Sequence, residues 1–463
     1  MFSARSYVRW AGPLAVGLIA LGVGPLGATG VAAAAPAAPV GDDFNGDGYQ
    51  DLAVAASHAT IDGKSGAGYV AVMYGGPHGL SASGRTIISR ATKGIPGSPA
   101  KNENFGTPSA KGDLDGDGYA DLVVGPVIVW GGPHGLSGGT SLPGGSGGTV
   151  TSGDFDGDGR LDLALFRITG AGGGDDPGNS TGAVWHGPFS RSGTPVRTTT
   201  LDPEKLRGIE VSSGASGDVN GDGRDDLVVD GYGGDGNFGS KFFLGSPEGL
   251  VYSGTAAPGG GRAVALGDVN GDGYDDIVAG REAMDEIEVA YGSASGIGHS
   301  ETWKTFTQDT PGVPGAYEEN DAFGASVAVG DITGDGIDDV AVGAPGESLG
   351  ETGRQEAGVV TVLRGSRSGL TGTGAQAITE DSPGIPGAAE AGDRFGSSVR
   401  LLDINGNGYA DLSSAAWNED KSNGAVWELR GRPTGIVPDA AFVFGGKKLG
   451  APYAKAEFGA RIK

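Results

Sequence analysis

The stretch DITGDGIDDV, Asp331 to Val340, decides the fold. It places side-chain oxygens at positions 1, 3, 5 and 9, with glycine at 4 and 6. The same pattern recurs as DFNGDGYQDL from Asp43, DLDGDGYADL from Asp113, DFDGDGRLDL from Asp154, DVNGDGRDDL from Asp218, DVNGDGYDDI from Asp268 and DINGNGYADL from Asp403. The oxygen-bearing residues are Asp43, Asn45, Asp47 and Asp51 in loop one, and Asp113, Asp115, Asp117 and Asp121 in loop two. Loop three has Asp154, Asp156, Asp158 and Asp162; loop four has Asp218, Asn220, Asp222 and Asp226. Loop five has Asp268, Asn270, Asp272 and Asp276; loop six has Asp331, Thr333, Asp335 and Asp339; loop seven has Asp403, Asn405, Asn407 and Asp411. Successive loops start 70, 41, 64, 50, 63 and 72 residues apart. A recurring unit of this size marks a repeat architecture.

Carboxylates this close repel one another unless a cation sits among them. The glycines let the backbone curl around an ion. An all-oxygen ligand set suits a hard cation, and its looseness favours Ca²⁺ over Mg²⁺. Asp, Asn and Gly also make plain turns without metal. Against that stands the ninth-position Asp, kept in all seven copies. Position 12 is Val54, Val124, Leu165, Val229, Ala279, Val342 or Ser414, never Glu, so these are not EF-hand loops. The reading is up to seven structural Ca²⁺ ions. Loops two and three carry four carboxylates each and loop seven only two. Ligand charge raises affinity, so loops two and three are expected to bind tightest and loop seven weakest.

A second element follows each loop: VAVMYGGPHGL (70–80), VIVWGGPHGL (127–136), AVWHGPFS (183–190), KFFLGSPEGL (241–250), IEVAYGSASGI (287–297), VTVLRGSRSGL (360–370) and VWELRGRPTGI (426–436). Short apolar runs bounded by Gly and Asp read as buried strands. Units of about 60 residues built this way must pack on one another. Phe-Gly precedes three of the loops, at Phe105, Phe323 and Phe395, and returns in the final FGARIK, 458–463. The first loop has no strand before it, so the C-terminal segment is expected to supply one. Ring closure of this kind removes sheet edges. The predicted fold is an all-β, seven-bladed propeller closed by pairing its N- and C-terminal strands. Three long polar connections, 93–104, 310–322 and 381–394, are candidate ligand loops. The glycine-rich stretches 137–149 and 170–182 read as simple loops.

The chain has 463 residues, a formal charge of −25, 94 glycines and no cysteine. That charge argues against nucleic-acid binding, which needs a basic face. The missing cysteine removes disulfides, thiolate metal sites and a Cys nucleophile. Arg5 and Arg9, an apolar run from Ala11 to Val31 and alanines through Ala38 have the layout of a secretory signal. The expected division is a signal peptide over 1–35 and a propeller over 36–463, secreted and extracellular. No second apolar run of spanning length occurs, so no membrane span is expected in the mature chain.

Other signals are weaker. Gly144 to Gly148 fits G-x-S-x-G but lacks the following helix that a nucleophile elbow requires. No catalytic residue is assigned. His78 and His134 sit in the repeated GGPHGL turn, and His58, His186 and His299 show no ligand spacing. Asn179-Ser180-Thr181 is a glycosylation sequon. Tyr74, Trp130 and Tyr291 recur just before the turn glycines, as packing positions do.

The segment FGASVAVGDITGDGIDDVAVGAP, 323–345, resembles the FG-GAP repeat of integrin α-subunit head domains, and the glycosylphosphatidylinositol-specific phospholipase D propeller looks similar. The resemblance implies a seven-bladed propeller for cell adhesion or ligand recognition, with calcium at one face. It implies Asp331, Thr333, Asp335 and Asp339 as calcium ligands, with the matching positions of the other loops. The expected protein is a non-enzymatic monomer that binds an extracellular protein or glycan. The alternatives are a secreted polysaccharide lyase or hydrolase on the same scaffold, which needs a basic or acid/base cluster in the central funnel, and a structural surface-coat protein.

Overall fold

The structure, a computed structural model, describes residues 41–143, 148–170, 172, 175–261, 263–350 and 354–463. The expected signal sequence, 1–35, lies outside the described residues, as do 144–147 of the G-x-S-x-G stretch.

Seven antiparallel sheets follow one another along the chain, each strand beside its sequence neighbour. Blade one contains Leu52–Ala56, Tyr69–Met73 and Arg85–Ile88. Blade two contains Pro108–Gly112, Asp121–Val124, Val127–Trp130 and Ser137–Ser141. Blades three, four and five repeat this over 150–200, 210–252 and 263–306. Blade six contains Ser326–Gly330, Asp339–Ala344, Val359–Arg364 and Thr371–Ile378. Blade seven contains Ser398–Leu402, Asp411–Ala416, Ala425–Arg430 and Val437–Phe444. First strands of neighbouring blades touch, which places them around a common axis.

Among the described residues blade one has three strands of its own, and the C-terminal segment takes the place of a first strand. Val54 bridges Ile462 in antiparallel register. Ala53 and Lys463 exchange N–H···O bonds at 2.9 Å in both directions, and Ala55 N–H donates to the Arg461 carbonyl at 2.8 Å. The ring is therefore closed by pairing the two ends, as the recurrence of Phe-Gly at 458 predicts.

The core lies between blades rather than within them. Each second strand is buried on both faces, so alternate residues serve opposite neighbours. Leu52, Val54 and Ala56 join a cluster with Leu402, Ala415, Val426 and Phe444 of blade seven. Ala53, the residue between, faces Leu122, Val124 and Val127 of blade two. Seven such clusters fill the seven blade interfaces. Among the described residues no blade has a private core, which is why the repeats need one another.

The Phe-Gly pair has two separate jobs. Phe105, Phe323, Phe395 and Phe458 are all buried in these interface clusters. Gly106 has φ +111°, and a Cβ there would lie 2.0 Å from the Tyr69 carbonyl. Only glycine lets the chain cross so near the neighbouring strand. The two glycine-rich stretches are less simple than their composition suggests. Ser137–Ser141 is the fourth strand of blade two, and Asn179–His186 is the third strand of blade three. Pairing with an existing strand overrides their weak intrinsic preference.

Candidate metal centres

In blades two to seven the acidic loop joins the first and second strands, and loop one leads into the second strand of blade one, so all seven lie at one end of the ring. The first residue organises the loop. In all seven, its Oδ1 accepts the N–H of position 5 and its Oδ2 the N–H of position 6; in loop two, Asp117 N–H and Gly118 N–H reach Asp113 at 3.0 and 2.9 Å. The position-5 side chain accepts from position 7, as when Tyr119 N–H meets Asp117 Oδ1 at 3.2 Å. Local Asx-type bonds thus curl the backbone and turn the carboxylates inward.

The ninth residue closes the site from the strand side. Asp51, Asp121, Asp162, Asp226, Asp276, Asp339 and Asp411 are all buried. Each accepts, on Oδ1, the N–H of the turn glycine in the second repeated element: Gly75, Gly131, Gly187, Gly245, Gly292, Gly365 and Gly431, at 2.7–3.0 Å. The two sequence repeats are therefore halves of one site. In loops one, two, four and five the other oxygen accepts the N–H of position 2.

In loops three, six and seven a basic side chain lies against that oxygen instead. His186 Nδ1 is 3.1 Å from Asp162, Arg364 Nη1 is 3.4 Å from Asp339, and Arg430 Nη1 is 3.0 Å from Asp411. All three occupy the position just before the turn glycine, where other blades carry Tyr74, Trp130, Leu244 or Tyr291. His186 also lies 3.0 Å from Asp156. Its absence of ligand spacing in the sequence is thus corrected by the fold, which brings it into loop three from the third strand. Tyr74 and Tyr291 reach the next blade instead, where their hydroxyls accept the N–H groups of Leu136 and Leu370.

The site residues fit a hard cation. Asp113, Asp115 and Asp121 present oxygens within 4.8 Å of one another, as do Asp154, Asp156 and Asp158. Asp115 Oδ1 and Asp156 Oδ1 are buried without a hydrogen-bond partner. Burial pushes the Asp51 carboxyl up to about 8, with the turn and position-2 amides opposing and neighbouring carboxylates adding. Asp121, Asp162, Asp226 and Asp276 are pushed up to about 7, again chiefly by burial. Such groups give up their protons to a bound cation. The half-exposed Arg191 sits among the loop-two carboxylates, 2.6 Å from Asp117, and Arg197 is 2.7 Å from Asp156 in loop three. Arg430 differs, because its side chain is only 7% exposed and it also pairs with buried Glu428 at 2.9 Å.

Residues 34–73, 260–282 and 323–363 match the family model for the FG-GAP repeat. The chain carries FG-GAP repeats. It is similar to integrin α-subunits: 35% identical over 129 residues to integrin alpha-4 of Xenopus laevis, covering 28% of this chain and 11% of that one. To integrin alpha-PS2 of Drosophila melanogaster it is 30% identical over 139 residues, covering 29% and 10%. The chain thus spans about a tenth of the length of these relatives. Among solved structures, BBS1N in complex with ARL6DN aligns at 13% identity over 71% of this chain and 79% of its own, with a TM-score of 0.39. The exotype rhamnogalacturonan lyase YesX aligns at 14% over 78% and 69%, with a TM-score of 0.30. Those two likenesses are too loose to bear on function.

The ring also encloses an axial cavity of about 1050 Å³ that sequence spacing does not reveal. Lys111, Arg400, Arg461 and Lys463 line it, together with Asp42. Lys111 Nζ pairs with Asp42 at 2.7 Å. Burial lowers the Lys463 ammonium well below its usual value, and the charges of Arg400, Lys111 and Arg461 push the same way.

Proposed function

We propose that the chain is a secreted, calcium-held recognition propeller of the integrin-α-like kind, which acts as a monomer and binds an extracellular protein or glycan without turnover. The observation behind this reading is the two-part acidic site, repeated in every blade at one end of the ring. Ca²⁺ in these loops would offset carboxylate repulsion and lock each first strand to its turn. The signal sequence over 1–35 would be removed on export, leaving a propeller that begins near residue 36. The recognition surface would be the other end of the blades, where 93–104, 310–322 and 381–394 join outer strands to the next inner strand. Rigid scaffolds carry their binding residues on such loops. The test is binding of the purified chain to extracellular proteins and glycans, in Ca²⁺ and in chelator, with circular dichroism of both samples. Saturable binding in Ca²⁺, reduced by substitutions in the three loops, is expected. A folded protein that binds none of them overturns the reading.

One observation favours a second reading, an enzyme or binder acting on an acidic polysaccharide. Four basic side chains converge on the axial cavity of a chain whose overall charge is −25. A local reversal of charge concentrates anions. Depolymerisation of a uronate polymer, abolished by Arg400→Ala, would support it; binding without turnover would exclude the enzyme.

A further inference from the structure

The connections that enter blades two, six and seven are built alike, and comparing them exposes an unbalanced charge. Each has a polar residue two places after the preceding outer strand: Arg90, Gln308 and Glu380. Each has an acid two places before the Phe-Gly: Glu103, Asp321 and Asp393. In the connection to blade two, Arg90 Nε donates to Glu103 Oε1 at 2.7 Å. In the connection to blade six, Gln308 Nε2 donates to Glu347 Oε2 at 2.6 Å, from the turn after the second strand. Both junctions thus contain a donor facing their acids.

Among the described residues, the connection to blade seven has none. Glu380 stands where Arg90 and Gln308 stand, and Glu419 stands where Glu347 does. Glu380 is 1% exposed and Asp393 is 4% exposed. Both Glu380 oxygens and Glu419 Oε2 lack any hydrogen-bond partner. Asp393 Oδ2 accepts the Glu390 N–H at 2.6 Å. The arginines of this region are occupied elsewhere, Arg354 with Asp381 and Arg394 with Glu356. Oxygens of Glu380, Asp393 and Glu419 lie within 4.8 Å of one another. Two oxygens on opposite sides of a calcium ion lie about 5 Å apart, given metal–oxygen distances of about 2.4 Å. Buried unpaired carboxylates are costly unless something neutralises them.

We propose that Glu380, Asp393 and Glu419 hold a divalent cation of the calcium type, at the end of the ring opposite the acidic loops. The ion pins the long connection 381–394 to the turn after the second strand of blade seven. The ligand set has no nitrogen or sulfur, which selects a hard cation. The site is independent of the ions proposed for the acidic loops, since none of its three residues belongs to them.

The full chain tests this through ion counting by native mass spectrometry and limited proteolysis of 381–394, each in Ca²⁺ and in chelator. Glu380→Gln, which copies the Gln308 junction, is expected to hold one ion fewer than the wild type. Glu380→Arg, which copies Arg90, is expected to lose the same ion and to protect the connection even in chelator. The wild-type connection should be cut faster in chelator than in Ca²⁺. Asp121→Asn, in loop two, should leave that protection unchanged, which separates this site from the acidic loops. Equal ion counts in wild type and both Glu380 variants, with cleavage indifferent to Ca²⁺, would overturn the proposal and leave the three carboxyls holding protons.

Discussion

The backbone N–H of Gly75 donates to Oδ1 of Asp51 at 2.8 Å, joining the turn of one hairpin to the acidic loop of the same blade. A Cβ at Gly75 would lie 2.3 Å from the Gln50 carbonyl and 2.7 Å from that of Ile404. Neither backbone atom can retreat without moving a loop. Gly75→Ala is expected to destabilise by about 1–3 kcal/mol, the usual range for overpacking. Thermal melts in Ca²⁺ check it, and an unchanged midpoint would count against the close approach.

Arg430, at the end of the third strand of blade seven, does for loop seven what an ion would do elsewhere. Its side chain is buried between Asp411 and Glu428, at 3.0 and 2.9 Å. Arg430→Met would leave two buried carboxylates unpaired, and breaking such a pair costs about 3–5 kcal/mol. The same loss is expected in Ca²⁺ and in chelator, by denaturant unfolding. Recovery of wild-type stability in Ca²⁺ alone would show that loop seven takes an ion after all.

Calcium entering loop one must displace protons. Burial pushes Asp51 up to about 8, so it is protonated at pH 6.5 in the metal-free protein. Asp121, Asp226 and Asp276, pushed up to about 7, are mostly protonated there too. Binding should release protons, and affinity should rise between pH 6 and 8. Calorimetric titration in buffers of different ionisation enthalpy measures this directly. A binding heat independent of buffer would contradict it.

Asp230 offers a pH effect outside the acidic loops. It is fully buried in the second strand of blade four, accepts from Gly231 and Gly260 at 3.2 and 3.3 Å, and is pushed up to about 7 by burial. The folded chain keeps this proton where the unfolded chain loses it, so stability falls as pH rises from about 4 to 7 and is flat above. Asp230→Asn removes that slope. The variant should gain on the wild type by up to about 4 kcal/mol between pH 4 and 7.5, at 1.36 kcal/mol per unit. Unfolding at both pH values in saturating Ca²⁺ measures the gain, and parallel curves would disprove it.

The blade count, the acidic loops and the ring closure were legible because they recur. A seven-fold repeat of Asp-x-x-Gly-x-Gly with Asp again at position 9, and a Phe-Gly at 458 without a loop after it, are visible as pattern. The turn glycines were visible too, but not that Gly75 or Gly431 caps the ninth-position carboxylate, since that bond joins residues some twenty positions apart. His186, Arg364 and Arg430 broke the pattern of their repeat position, and that deviation was the available signal. The axial cluster of Lys111, Arg400, Arg461 and Lys463 comes from three separate first strands. Nothing in linear spacing brings such residues together.

Closing the ring between Val54 and Ile462 also orders events during synthesis. Six of the seven interface clusters lie between blades made one after the other. These can pack as the chain emerges. The seventh joins segments about 400 residues apart and must wait. Long-range pairings of this kind form slowly. Blade one is thus the first begun and the last completed, and until 459–463 arrives Leu52–Ala56 presents an open strand edge. A nascent chain halted just before that point would be a template for sticking to its neighbours.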